Sequence, residues 1–260
     1  MVRLSQDQLS RVEPLFEGMH EATLFSGLQG CMGSVWADCE DVPHSAQVIV
    51  GDFCFLAGSP NRQLTRHLTQ NFLIFVPQNR EWAQMIEQVQ GIAAKRVTRF
   101  ALQTPEMFER NRLNSLVQSM PDEYSIARMN KGIYEKLIRN DQLRDLCANF
   151  SDFENYAAHG LGFVALWNGE PVAGASSYSY YNQGIDIEVD TIPHHRRRGL
   201  AAACSAQLIL ECMHRGISPE WDAQNPGSVA LAEKLGYHFL REYPVYEVCA
   251  ATNEPSSQYN

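Results

Sequence analysis

Residues 185–191, Ile-Asp-Ile-Glu-Val-Asp-Thr, alternate with a period of two. Ile185, Ile187, Val189 and Thr191 share one face and Asp186, Glu188 and Asp190 the other, which predicts a strand. Upstream, residues 163–167 and 171–181 are apolar runs joined by Asn168-Gly169, a strong hairpin signal. Asn182-Gln183-Gly184 turns the chain once more, so the three strands form an antiparallel meander with the acidic strand inside the sheet. Downstream, Leu200, Cys204, Leu208 and Cys212 recur at helical spacing, and Gly216 is placed to cap that helix in the left-handed conformation. Residues 219–223 read as a short strand, Asn225-Pro226 opens a second helix through Leu231 and Leu235, and residues 238–248 form a last strand. Earlier, residues 130–139 have a helical stripe through Ile133 and Leu137, and Ser151 with Glu154 has the spacing of a capping box.

The first 117 residues carry a separate pattern. Leu9, Val12, Phe16 and Met19 lie at helical spacing, with Ser5 as cap and Pro14 as interruption. Residues 46–57 read as strand, turn at Gly51-Asp52, strand; residues 71–77 as a buried strand; 81–89 as a helix; 97–102 as another strand. The expected organisation is a smaller α/β domain over residues 1–117, a second domain over 118–250, and a polar tail over 251–260. The overall class is α/β (α+β), with a mixed, mostly antiparallel sheet flanked by helices.

Composition narrows the function. Of 260 residues, 45% are hydrophobic and 20% charged, as in ordinary globular proteins. A formal net charge of -9 argues against nucleic acid as a partner and favours a cationic ligand. The seven cysteines at 31, 39, 54, 147, 204, 212 and 249 are scattered, with no CxxC pair, which suggests reduced thiols rather than disulfides or a zinc site. His20, His44 and His67 stand alone, so no metal is expected. No apolar signal core or membrane-spanning stretch is read, and a cytoplasmic location is the expectation.

The strand runs through Pro193, His194 and His195 into Arg196-Arg-Arg-Gly-Leu-Ala201 and then the helix. Small residues let a backbone approach a ligand closely, and the amides of a helix's first turn have no partner within the helix. At the positive end of the helix dipole, such a turn suits phosphate. Arg196-x-x-Gly199-x-Ala201 directly after a strand matches the acyl-coenzyme-A signature (Arg or Gln)-x-x-Gly-x-(Gly or Ala), and this half of the chain resembles the GNAT superfamily of N-acetyltransferases. Asn225-x-x-Ser228 followed by Glu233-Lys-Leu-Gly-Tyr237 is similar to the family's second helix. Glu188 three residues before Thr191, Arg-Arg-Gly-Leu-Ala, and Pro-x-Trp-Asp-Ala-x-Asn further resemble a two-domain bacterial subgroup that includes the zwittermicin A resistance acetyltransferases.

That resemblance implies acetyl-coenzyme A as cosubstrate, transfer of its acetyl group to a primary amine by direct attack in a ternary complex, and an N-terminal domain bearing on acceptor specificity. Glu188 is then the base for the amine, and Asp186, with Glu188, faces the substrate. Alternate residues stand about 6.6 Å apart, so Asp186, Glu188 and Asp190 form an acidic floor for a cation unless a β-bulge rotates Asp190 away. Val189, Asp190 and Thr191 would line the pantetheine arm, with a backbone amide at the thioester oxygen. Arg196, Arg197, Arg198, Gly199, Leu200 and Ala201 would hold the pyrophosphate, with Asn225 and Ser228 along the arm. The family commonly places a Tyr four residues before the glycine of its second helix; here Ala232 stands there, so the thiolate either takes a proton from another group such as Ser228, Tyr237 or Tyr246, or leaves unassisted. An aminated antibiotic or other small polyamine-like molecule is the expected acceptor. A coenzyme-A-binding module without turnover, or an enzyme acting on a peptide amine, are the alternatives; the oligomeric state stays open, a homodimer being compatible.

Overall fold

The computed structural model describes residues 1–249, so the polar tail expected over 251–260 lies outside the described residues. In chain order the elements of the first part are β1 (Val2–Arg3), two 3-10 turns (Gln6–Arg11 and Glu13–Phe16), α1 (Ala22–Leu28), β2 (Ser34–Ala37), β3 (Ser45–Val50), β4 (Phe53–Gly58), α2 (Arg62–Arg66), β5 (Phe72–Pro77), α3 (Arg80–Gln90) and β6 (Ala94–Gln103). They continue as α4 (Arg110–Gln118), β7 (Tyr124–Arg128), α5 (Lys131–Ile138), α6 (Phe153–His159), β8 (Gly162–Trp167), β9 (Glu170–Tyr181) and β10 (Gly184–Thr191). The last elements are α7 (Leu200–Arg215), β11 (Ser218–Glu220), β12 (Asp222–Ala223), α8 (Pro226–Leu235) and β13 (His238–Cys249).

Two compact units result, and they do not follow a single cut at residue 117. One comprises Met1–Met19, Gly33–Val97 and Pro244 onward; the other comprises His20–Met32 and Thr98–Tyr243. The reason is packing. Phe108 and Leu113 are buried in the same apolar cluster as Leu200, Leu208, Leu235 and Tyr237, so residues 98–117 complete the core of the second unit. Strands β6 and β13 each begin in one unit and end in the other.

In the first unit, β3 and β4 form the expected hairpin, β5 joins β4 in parallel, and the end of β13 pairs with β5 from Tyr246↔Phe75 to Cys249↔Phe72. Trp82 and Ile86, from the helix read at 81–89, are fully buried against Leu56, Leu73 and Phe75. The helical spacing of Leu9, Val12 and Phe16 materialises as 3-10 turns, with the Ser5–Gln8 capping box opening the first and Pro14 in the first turn of the second. His44 is not isolated: with Asp38 and Cys39 it forms a group whose ligand atoms lie within 4.8 Å of one another. A turn explains this closeness, because Asp38 accepts the amides of His44 and Ser45 and the Cys39 thiol donates to the Val42 carbonyl.

In the second unit a five-stranded sheet has the order β11-β10-β9-β8-β7, parallel between β10 and β11 and antiparallel elsewhere. Asn168 and Gly169 both take positive φ, as a tight primed turn requires. Gly216 caps α7 at φ 68°. The cap of α6 is Asp152, which accepts the Asn155 amide, rather than Ser151, whose hydroxyl donates to Asp152. The strand read at 219–223 is two strands: β11 pairs with β10, the chain breaks step at Trp221, and β12 pairs with β6. No helix among the described residues is long and apolar enough to cross a membrane.

Candidate active site

The site is organised by a parting of strands. β10 and β11 pair over Gly184↔Ser218, Ile185↔Pro219 and Asp186↔Glu220, and there the ladder stops. The approach is close enough at its base that a Cβ on Gly184 would lie 2.1 Å from the Ser218 carbonyl oxygen, so only glycine fits. Beyond Asp186, β10 keeps β9 on one side through Thr191↔Ala173, while β11 has turned away at Trp221. Among the described residues no strand covers the other edge of β10 from Ile187 to Thr191. One amide on this stretch, that of Val189, donates to the side-chain Oε1 of Glu188 at 3.1 Å instead of joining a ladder.

The bulge that could have rotated Asp190 away lies in the neighbouring strand. Asp186 pairs with Ser179 and Ile187 with Ser177, so Tyr178 of β9 is the extra residue and β10 keeps its alternation. Asp186, Glu188 and Asp190 therefore share a face, with Asp145 close enough to be felt electrostatically by Glu188 and Asp190. Burial pushes the Glu188 carboxyl up to about 8, with Asp190 adding repulsion. Asp186 rises to about 7, again chiefly through burial, although the Thr23 hydroxyl donates to its Oδ2 at 2.7 Å. Asp190 rises to about 6 through burial and Asp145, with Arg196 opposing.

These shifts make a stability prediction. Each folded-state pKa lies above its unfolded value near 4, so the contribution is fully present below about pH 4 and is lost as pH climbs through about 6, 7 and 8. The ligand-free protein should melt at progressively lower temperature from pH 5 to pH 8.5, and Asp186→Asn should flatten that decline. Thermal melts across this window check it; an unchanged slope in the variant would remove Asp186 from the account.

At the far end of β10 the basic turn is exposed. Pro193–His195 form a 3-10 turn, the Arg196 Nε donates to the Thr191 carbonyl at 3.1 Å, and Arg197 and Gly199 sit at φ 63° and 81°. His195 shares a hydrogen bond with the Tyr124 hydroxyl at 2.9 Å, which anchors the turn to β7. Helix α7 then starts with no side-chain cap and no acidic residue in its first turn. Leu200 is buried in the core, Ala201 is partly exposed, and a Cβ on Gly199 would meet nothing within 4 Å. Exposed helix-start amides flanked by three arginines can take an anion.

The acid candidates fall in different places. Tyr237 is buried in the core, edge-on to Phe108, and its hydroxyl donates to the Pro219 carbonyl at 2.7 Å, so its proton is committed there. Tyr246 belongs to the other unit and donates to Glu87. Ser228 sits in the first turn of α8, its amide held by the Asn225 side chain, and its hydroxyl oxygen accepts the Trp221 indole N–H at 3.0 Å, which leaves its own proton to give. Ala232 is buried. Asn225 therefore acts as the helix cap, and the other proposed residues from Val189 to Ala201 lie along the open strand edge and the basic turn.

Several residues of this region carried no sequence signal. Thr23, in the short helix α1, bonds both Asp186 and Ser179. Glu21, Glu220, Asp222 and Arg241 join Asp186 around a cavity. Asp222 is itself raised by burial and held by Arg99 and the Tyr243 hydroxyl.

A strand fork that opens toward an uncapped, arginine-flanked helix start fits an N-acetyltransferase, and the comparisons agree. Residues 13–246 match the family described as GNAT acetyltransferase. The chain belongs to that family. It is 31% identical over 129 residues to an uncharacterised N-acetyltransferase, YdfB, of Bacillus subtilis (strain 168); the match spans 46% of this chain and 49% of that one, about half the length of the curated relative. The solved structure of a GCN5-related N-acetyltransferase-like protein from Streptococcus suis 89/1591 is similar at 40% identity and a TM-score of 0.89, covering 93% of this chain and 98% of that one. An acetyltransferase of the GNAT family from Novosphingobium aromaticivorans DSM 12444 shares the fold at 15% identity and a TM-score of 0.56, over 88% and 96% of the two chains.

Proposed function

We propose that the protein transfers an acetyl group from acetyl-coenzyme A to a primary amine of a small molecule, by direct attack within a ternary complex. The observation that carries this reading is the parting of β10 from β11 at Asp186 and Glu220, which leaves the edge of β10 uncovered between the buried Asp186, the half-buried Glu188 and the basic turn. A pantetheine arm is a row of amides and can pair with such an edge, while its pyrophosphate suits the amides from Arg198 to Ala201, with Arg196 and Arg197 beside them. Acetyl-coenzyme A, when bound, supplies the activated acyl carbon. Glu188 takes the proton from the attacking amine, directly or through water, and the raised pKa of its carboxyl suits that task near neutral pH. The Val189 amide is placed to donate to an oxygen at this edge once it leaves Glu188. Ser228 can relay a proton to the leaving thiolate, which otherwise leaves unassisted.

Release of coenzyme A, followed with a panel of small amines, tests the reading. Amine-dependent release supports it. Tight binding of acetyl-coenzyme A with no release for any amine or peptide would instead favour the non-catalytic binding module, an alternative motivated by Ala232 at the usual Tyr position.

A further inference from the structure

The loop that joins β2 to β3 brings three kinds of metal-ligating side chain together. In Asp38-Cys-Glu-Asp-Val-Pro-His44, the carboxylate oxygen of Asp38, the sulfur of Cys39 and an imidazole nitrogen of His44 all lie within 4.8 Å of one another. Strand pairing holds both ends of the loop: Ala37 pairs with Ala46, and the Asp38 amide donates to the Ser45 carbonyl at 3.1 Å. Asp38 spends Oδ1 on the amides of His44 and Ser45, which leaves Oδ2 toward the His44 Nδ1 at 4.0 Å. The backbone carrying the imidazole is fixed as well. Its carbonyl accepts the Ser59 amide at 2.8 Å, and a Cβ on Gly58 would lie 2.2 Å from that oxygen. The His44 ring and the Cys39 thiol are nevertheless open to solvent, whereas Cys54, Cys147, Cys204 and Cys212 are buried.

We propose that this loop is a zinc site, with Asp38 Oδ2, Cys39 Sγ and His44 Nδ1 as ligands and water in the fourth position. Zinc takes mixed sulfur, nitrogen and oxygen sets at about 2.0–2.3 Å, which puts tetrahedral neighbours about 3.3–3.7 Å apart. From at most 4.8 Å, the remaining gap of about an ångström is within reach of side-chain rotation. Binding replaces the hydrogen bond from the Cys39 thiol to the Val42 carbonyl with a thiolate–zinc bond, and the thiol proton passes to solvent. The two amides on Oδ1 give the carboxylate the outer support that orients a ligand. Glu40 and Asp41 add negative charge beside the group. Hard cations such as calcium ask for all-oxygen sets and gain nothing from the sulfur and nitrogen. The loop belongs to the first unit and Glu188 to the second, so this assignment stands or falls apart from the transfer reading.

The test titrates Co²⁺ into the full chain, free of any tag, reduced and treated with chelator. Cobalt takes zinc's ligands and reports a bound thiolate through sulfur-to-metal charge-transfer absorption in the near ultraviolet. The band should grow to a single equivalent of cobalt, disappear when zinc is added, and persist in excess Ca²⁺. Cys39→Ser should abolish it; the serine hydroxyl keeps a donor for the Val42 carbonyl, so the turn is retained. His44→Ala leaves the backbone carbonyl in place and should weaken zinc binding by about tenfold or more, as loss of a ligand costs at least what loss of its outer support does. Three results would overturn the proposal: no band in the parent, a band that survives in Cys39→Ser, or zinc affinity unchanged in His44→Ala. Displacement of cobalt by Ca²⁺ as readily as by zinc would overturn it too, by showing an acidic surface that attracts any divalent cation.

Discussion

Glu188→Gln should lower kcat by about 10²–10⁴-fold, the contribution typical of a positioned base, while leaving the dissociation constant for acetyl-coenzyme A within about twofold. Gln keeps the shape of Glu and still offers an oxygen to the Val189 amide, which lies 3.1 Å from the carboxylate. What it loses is the ability to accept a proton. In the parent, the carboxyl is held up to about 8 by burial and by Asp190, so activity should rise with pH toward a plateau above that value. A weakly basic acceptor, already neutral at pH 6, isolates this limb from the acceptor's own ionisation, and in the variant the limb should vanish. Because Glu188 feels the charges of Asp190, Asp145 and Asp186, the observed midpoint reflects their ionisation as well as its own. The same substitution should raise the melting temperature at pH 8 by a few degrees, since it deletes a buried ionisation. A variant that turns over like the parent would remove Glu188 from the base role whatever its stability.

The parts of this arrangement visible in the chain are those encoded by local periodicity. The alternation from Ile185 to Thr191 places three acids on one face without any knowledge of neighbours, and Asn168-Gly169, Gly216 and Asn225 each mark a turn or cap through backbone conformations that few residues accept. The basic turn and uncapped helix start are likewise local. What escaped local reading depends on partners far along the chain. Thr23 lies in a seven-residue helix with no distinct stripe, and its role appears only when α1 meets Asp186, 163 residues later. Residues 219–223 read as one strand because nothing in Pro-Glu-Trp-Asp-Ala shows that Trp221 turns inward and sends the two halves to different partners. Tyr237 illustrates the converse: it follows the helix glycine as the family pattern suggests, yet burial commits its hydroxyl to Pro219. Phe108 and Leu113 have the same apolar character whichever core they enter, so nothing local assigns residues 98–117 to the second unit.

Ala201→Glu should weaken acetyl-coenzyme A binding by about ten- to a hundredfold, the loss expected from a carboxylate placed a few ångströms from a bound phosphate at a half-exposed helix end. The expected sign for the fold is opposite. An acid in the first turn complements the helix dipole and typically adds about 0.3–1 kcal/mol to helix stability, and α7 has none there now. Ala201 is partly exposed, so the longer side chain has room, and its neighbours Leu200 and Ala202 remain buried as before. A folded, equally or more stable variant with a damaged ligand site would separate the anion cradle from any general loss of structure. Ala201→Gln supplies the control of similar size, and it should bind nearly as the parent does. The penalty in the Glu variant should shrink as ionic strength rises from 0.05 to 0.5 M, because the half-exposed charges are screened over about a Debye length. Calorimetric titration with acetyl-coenzyme A measures all three proteins. If Ala201→Glu binds as tightly as the parent at low salt, the pyrophosphate does not lie at the start of α7, and the reading of the arginine turn must be given up even though the fold stands.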